Sequence, residues 1–326
     1  MKAVLCKQYG PASELVVEDA PSLMPGQGQL VIAVHACGVN FPDTLIIQGK
    51  YQFKPELPFS PGAEVAGVVK KVGAGVTRFQ PGDRVIAATT WGGYAQEALA
   101  QAERVMRMPE GMDFQTAAAF LLTYGTSHHA LKDRGELKTG ETVLVLGAAG
   151  GVGLAAVEIA KVMGARVIAA ASTDEKLSVC REHGAAETIN YSTQDLREQL
   201  NALTGGRGVD VVYDPVGGNL SEPALRSMAW RGRYLVIGFA AGDIPKVPLN
   251  LPLLKGCSIV GVFLGGFMRA EPQRSETQLR ELVDWIARGK LHPRVHAVYP
   301  LERAAEALHE VTSRNVIGKV VLTTGL

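Results

Sequence analysis

Seven residues, Gly147-Ala148-Ala149-Gly150-Gly151-Val152-Gly153, carry the clearest chemistry in the chain. Before them lies an apolar run, Val143 to Leu146; after them comes a helical pattern marked by Val152, Ala156, Ile159, Ala160 and Met163. A second apolar run, Val167 to Ala171, completes the strand–turn–helix–strand spacing of a right-handed parallel crossover. The first N–H groups of such a helix have no partner within it, and a pyrophosphate suits them. Ala149, Gly150, Gly151, Val152 and Gly153 form the predicted phosphate turn. Gly150 and Gly151 would let the backbone approach the phosphates, and Gly153 would let the helix pack closely on the strand. A tight turn with no ligand is the competing reading.

The residues that end the second run select among dinucleotides. An Asp or Glu there would hydrogen-bond a ribose 2′-hydroxyl and repel a 2′-phosphate. The chain instead reads Ala171-Ser172-Thr173, with Lys176 three residues on, which predicts NADPH rather than NADH. Lys176 either meets the phosphate or is a solvated first-turn lysine. Asp174 is read as a helix cap. Tyr191, after the predicted strand Glu187 to Asn190, is a third wall for the phosphate.

These residues need a scaffold, and composition bounds it. The 326 residues suit two domains, with 47% hydrophobic and 20% charged side chains. A net charge of +1 gives no reason to expect nucleic acid or an anionic membrane as partner. No apolar run reaches the roughly 18 residues of a membrane span. Cys6, Cys37, Cys180 and Cys257 lack C-x-x-C spacing. With an opening, MKAVLCKQYG, unlike a signal peptide, they predict a reducing, cytoplasmic setting.

The first third reads as β-rich: Lys2–Lys7, Leu15–Asp19, Gln29–Cys37, Glu64–Val72, Arg84–Ala88 and Gly93–Ala100, with a helix at Phe41–Gln48. Helical periodicity runs from Phe114 to Leu131. From Thr142 strands and helices alternate, with strands at Val143–Leu146, Arg166–Ala171, Glu187–Asn190, Val209–Asp214, Arg233–Ile237 and Ser258–Val262. Six such strands predict an α/β fold with a doubly wound parallel sheet, a Rossmann domain. A helix at Thr277–Arg288, a short strand, a helix at Leu301–Val311 and a strand at Gly318–Thr323 have no place in that sheet and return to the first domain. The expected division is 1–123 with 266–326, and 124–265.

The whole pattern resembles the medium-chain dehydrogenase/reductase superfamily and, within it, the zinc-free NADPH quinone oxidoreductases that include zeta-crystallin. The motifs are GVNFPDTLIIQGKY (Gly38–Tyr51), PGAEVAGVVKKVGAGV (Pro61–Val76), GDRV (Gly82–Val85), LTYGTSHHAL (Leu122–Leu131), GAAGGVG (Gly147–Gly153), YDPVGG (Tyr213–Gly218) and GKVVL (Gly318–Leu322). The resemblance implies a GroES-like catalytic domain beside the Rossmann domain. Zinc-dependent relatives carry Cys at the position of Asn40 and His at that of Ala63, and their third ligand falls near Leu122; no metal is expected here. Without a Lewis acid, alcohol oxidation is disfavoured and an electron-poor acceptor is expected.

By the same resemblance Asn40 and Tyr51 line the catalytic pocket. Asn40 offers an amide donor to a substrate carbonyl or caps the helix starting near Phe41. Tyr51 stacks on a ring, hands over a proton or packs in its loop. Thr126 touches the nicotinamide or is an ordinary helix-start hydroxyl. Gly238 and Phe239 border the nicotinamide ribose, and Phe263 and Gly265 pass over the cofactor. Lys319 reaches the pyrophosphate or is a solvated strand lysine. Asp43 and Glu64 are read as structural; His128 and His129, with no matching acid, as packing or surface residues. The implied activity is NADPH-dependent reduction of a quinone or an α,β-unsaturated carbonyl compound. A 2-enoyl thioester reductase and a non-catalytic NADPH-binding protein are the alternatives. A homodimer through Ser258–Val262 is expected, with a small electrophile as the other partner.

Overall fold

The computed structural model describes residues 1–326, which divide into two compact units, Met1–Leu122 with Pro293–Leu326 and Thr123–His292.

Thr123–His292 is built on six strands in the spatial order Glu187–Asn190, Arg166–Ala171, Thr142–Leu146, Val209–Asp214, Met228–Val236 and Ser258–Gly261. Every neighbouring pair is parallel. Strands buried on both faces must be apolar throughout, and Thr142–Leu146 is buried at every position. The order reverses beside that strand, which opens a crevice at the carboxyl ends of the strands. Leu144, Leu146, Ile168, Ala170, Ile189 and Val212 belong to one core cluster beneath it. Ser258–Gly261 is the edge strand.

In the other unit a seven-stranded sheet is organised by one long strand, Gln29–Val39. Along one edge it pairs antiparallel with Glu64–Val72. The opposite edge is shared: Gln29–Ala33 pair with Glu97–Gln101, and Ala36–Val39 with Val320–Thr323. The C-terminal strand Lys319–Thr323 therefore completes a sheet begun by the N-terminal residues. Arg84–Ala88, Val105–Arg107 and Val295–Pro300 extend it. Leu30, Ile32, Val34, Val65, Tyr94, Val320 and Leu322 form its core.

Two expectations need correction. Residues 266–292 group with Thr123–His292 rather than with the β-rich unit. The helix Pro272–Ala287 buries Leu279 and Leu282; Leu279 and Leu264 lie over Gly125, where a side chain would meet them 3.5 Å away. Its apolar face is thus used inside that unit. The single helix expected over Phe114–Leu131 is three pieces: Phe114–Ala118, capped by Asp113, then Leu121–His128, then a π-helical turn at His129–Arg134. No helix is long and apolar enough to cross a membrane.

Candidate functional site

The strand Thr142–Leu146 leads through Gly147 and Ala148 into the helix Gly151–Val162, with Gly150 as the capping residue. Ala148 N–H donates to Ala170 O at 3.0 Å, which fixes the turn on the neighbouring strand. Leu154 N–H donates to Gly150 O at 2.8 Å, so the N–H groups of Gly151, Val152 and Gly153 precede the first bond within the helix. A Cβ on Gly153 would sit 2.3 Å from Gly147 O and 2.8 Å from Ala148 Cα; only glycine fits there. A Cβ on Gly150 would have ordinary room, its nearest neighbour being Gly147 O at 3.4 Å. The two glycines differ in kind: one is needed by the fold, the other leaves space above it.

At the end of the next strand, Lys176 Nζ donates to Ser172 Oγ at 3.1 Å. Burial holds the Lys176 ammonium below the usual lysine value, against the raising effect of Glu175. The helix cap is Thr173, whose hydroxyl accepts the Lys176 N–H at 3.3 Å, and not Asp174 as expected. Asp174 is turned aside and accepts from Asn190 Nδ2 at 2.9 Å. Tyr191 N–H donates to Ala171 O at 3.1 Å, which brings Tyr191 alongside Ser172.

Of the remaining predicted cofactor residues in this unit, Gly238, Phe239, Phe263 and Gly265 follow other strands of the sheet at their carboxyl ends. Gly238 and Phe239 come after Met228–Val236, and Gly238 N–H donates to Asp214 O at 3.4 Å. Phe263, 43% exposed, heads the helix Leu264–Ala270, with Gly265 in its first turn. Thr126 is half-buried on the helix Leu121–His128. Asp214, to which the sequence reading gave no role, organises the turn after its strand. Its Oδ1 accepts Val216 N–H and Gly217 N–H at 2.8 Å each, and its Oδ2 accepts the hydroxyls of Ser221 and Tyr234. The signal was present as an acid placed directly before Pro215-Val216-Gly217-Gly218.

In the β-rich unit the structure gathers Asn40, Asp43, Glu64, Tyr94 and Lys319 into one buried network. Lys319 Nζ donates to Val39 O at 2.8 Å and Asn40 Oδ1 at 2.7 Å, and lies 2.7 Å from Glu64 Oε1. Three acceptors use all three ammonium hydrogens. Lys319 is therefore neither a solvated strand lysine nor, in this conformation, a pyrophosphate ligand. Asn40 Nδ2 donates to Gly38 O at 3.2 Å and Glu64 Oε1 at 2.9 Å, which leaves no amide hydrogen for a substrate carbonyl. Lys319 as donor on one side and Glu64 as acceptor on the other fix which amide atom is oxygen. Asn40 occupies the capping position of the helix Phe41–Ile46, but through its backbone: its N–H donates to Asp43 Oδ2 at 2.8 Å and its carbonyl accepts from Asp43 N–H.

Tyr94 OH donates to Asp43 Oδ2 at 3.0 Å. Burial pushes the Asp43 carboxyl up to about 6, while the Asn40 N–H, the Lys319 charge and the Tyr94 hydroxyl pull it down. Tyr51 is half-buried and meets Phe53 edge-on, with ring centroids 5.9 Å apart. Its phenol is held above the usual tyrosine value by burial and then by the Asp43 charge.

His128 and His129 do have acids. His128 Nε2 lies 3.0 Å from Glu281 Oε2, and His129 Nδ1 3.0 Å from Asp133 Oδ2. Both are buried; Glu281 is distant in sequence from His128, whereas Asp133 stands four residues after His129, a spacing that was there to be read. Phe267 stacks on His129, with ring centroids 4.1 Å apart.

Comparison with known proteins places these features in a family. Residues 26–110 match the model for the alcohol dehydrogenase GroES-like domain, and residues 151–288 that for zinc-binding dehydrogenase. A quinone oxidoreductase-like protein 2 homolog of Nematostella vectensis is 40% identical over 99% of this chain and 89% of its own length. The Escherichia coli quinone oxidoreductase complexed with NADPH is 32% identical, with a TM-score of 0.93 over 99% of this chain and 100% of that one. A NAD-dependent alcohol dehydrogenase is 31% identical, with a TM-score of 0.92 over 100% of both chains. The zinc in the second model's description does not fit these residues. The Asn40 amide is bonded to Glu64 and Lys319, and no group of three His, Cys, Asp or Glu side chains is arranged to hold a metal ion. The order of elements, the glycine turn and the end-to-end similarity agree: the chain belongs to the quinone oxidoreductase family of the medium-chain dehydrogenase/reductase superfamily.

Proposed function

We propose that this chain reduces a quinone or an α,β-unsaturated carbonyl compound with NADPH. The observation that carries the cofactor choice is the Lys176–Ser172 pair beside Tyr191, with Asp174 turned toward Asn190. It offers a cation and hydroxyls to a 2′-phosphate and keeps the nearest carboxylate away. Ala149 to Gly153 would hold the pyrophosphate, with Thr126, Gly238, Phe239, Phe263 and Gly265 toward the nicotinamide end. When bound, NADPH supplies the hydride; the protein positions the acceptor and excludes water.

Tyr51 is the candidate proton donor. A tyrosine phenol is protonated at neutral pH, so an O–H is available to a substrate oxygen or α-carbon, and burial with the Asp43 charge holds that proton more tightly. The same hydroxyl serves a second reading, reduction of a 2-enoyl thioester, in which Tyr51 protonates the α-carbon after hydride reaches the β-carbon. Asn40 acts as a positioning residue for Glu64 and Lys319.

The test is NADPH consumption across a panel of quinones, enones and enoyl thioesters. Turnover with quinones or enones supports the first reading, and thioesters alone the second. Cofactor binding without turnover of any acceptor would make the chain a non-catalytic NADPH-binding protein.

Homodimerisation through Ser258–Val262 is part of the proposal. Ile259 on that edge is 43% exposed, and Trp230, Leu249, Leu253 and Leu254 nearby in the chain are 68–82% exposed. Light scattering at micromolar concentration should give a dimer, and Leu253→Lys a weaker one; a monomeric wild type contradicts it.

A further inference from the structure

Under the helix that carries Thr126 lies a hydroxyl bridge that the proposed chemistry does not itself use. Ser127 is fully buried, and its Oγ lies 2.9 Å from Thr123 O, 2.8 Å from Val152 O and 2.8 Å from Tyr213 OH. Tyr213 is fully buried too. One serine hydroxyl can donate only once. If it donates to either carbonyl, the Tyr213 hydroxyl donates to Ser127 Oγ, which gives both hydroxyls a role. Burial pushes the Tyr213 phenol above its usual value, so that proton stays in place.

The three elements so joined are not otherwise equivalent. Val152 belongs to the first turn of the glycine helix, Ser127 follows Thr126, and Tyr213 precedes Asp214 at the carboxyl end of its strand. We propose that Tyr213 and Ser127 are positioning residues that fix Thr126 relative to the phosphate turn, and so set where the nicotinamide half of the cofactor lies. The helix that carries Thr126 meets the glycine helix at two side-chain hydrogen bonds: Tyr124 OH donates to Glu158 Oε2 at 2.6 Å, far along that helix, and Ser127 Oγ meets the carbonyl of Val152. Of the two, the Ser127 bridge is the one at the phosphate turn, within two residues of Gly150. This rests on the cofactor assignment above and adds residues that do not touch the cofactor.

The test compares two probes on the same proteins, NADPH and adenosine 2′,5′-bisphosphate, which lacks the nicotinamide half. Tyr213→Phe and Ser127→Ala should each weaken NADPH roughly tenfold, the factor of about one buried hydrogen bond, and change the bisphosphate less than about twofold. Because both act through one bridge, the double variant should be no worse than the weaker-binding single variant. Equal losses for both probes would mean a general loosening of the unit and overturn the proposal, as would no loss for either or additive losses in the double variant. Tyr213→Phe is the variant of least volume change and keeps the test available should Ser127→Ala fold poorly. A wild-type protein that binds neither probe overturns the cofactor reading itself; binding of both, unchanged in the variants, overturns only the bridge.

Discussion

Lys176 Nζ and Ser172 Oγ are 3.1 Å apart, one helical turn from each other across the cap formed by Thr173. An ammonium and a hydroxyl held together at the end of a strand, with Asp174 bonded to Asn190 instead, are what the proposed 2′-phosphate site would use. Lys176→Ala should weaken NADPH by about 10- to 100-fold, the range for a charged hydrogen bond, and leave NADH within about twofold. Fluorescence titration of both cofactors measures this. Equal losses for the two would place Lys176 outside a 2′-phosphate site.

Gly150 and Gly153 allow a paired test of fold against ligand. Gly153→Ala forces a Cβ to within 2.3 Å of Gly147 O and should destabilise the protein by about 1–3 kcal/mol in urea unfolding. Gly150→Ala meets nothing closer than 3.4 Å, so its stability should change by less than about 0.5 kcal/mol while NADPH affinity falls. Unchanged affinity in Gly150→Ala would remove the phosphate from above that residue.

Asp43 gives a pH signature. Aspartate in an unfolded chain titrates near 4, whereas burial raises Asp43 to about 6. Between those values the native state holds a proton that the unfolded chain has released. Stability from this group therefore falls as pH rises through about 4 to 6, and stays lower above. Asp43→Asn should gain about 2 kcal/mol relative to wild type between pH 4 and pH 7, measured as the difference in urea unfolding. A difference that does not vary with pH would show that Asp43 does not titrate in that window.

Lys319→Met strips the counter-charge from fully buried Glu64. Stability should drop by about 3–5 kcal/mol, and adding Glu64→Gln should recover part of it. NADPH affinity of the folded variant should hold. Loss of affinity at full stability would instead make Lys319 a pyrophosphate ligand.

The fold was legible wherever one local rule decided it. Arg166–Ala171, Glu187–Asn190 and Val209–Asp214 have the limits expected from apolar runs closed by polar or turn residues. Met228–Val236 begins five residues before its expected start: Arg231 and Gly232 break the apolar run after Trp230 and hide its first half. The helix Leu264–Ala270 has two glycines and was unreadable by propensity.

At the site, backbone chemistry was readable and side-chain pairing was not. The glycine turn follows from local sequence alone. Lys319 and Asn40 are 279 residues apart, and only the pairing of Lys319–Thr323 with Gln29–Val39 brings them together. Nothing local to either residue reveals that the ammonium and the amide satisfy each other. Asp214 was missed for the opposite reason: its partners are close in sequence, but its role is to shape a turn rather than to meet a ligand.

The most direct test of hydride transfer from NADPH to an electron-poor acceptor uses NADPH deuterated at the transferring position of the nicotinamide with an α,β-unsaturated ketone. Mass spectrometry and NMR of the product should find one deuterium on the β-carbon and a solvent proton on the α-carbon. Deuterium on the carbonyl carbon of an alcohol, or deuterated NADPH bound and unconsumed with both enones and quinones, would contradict it.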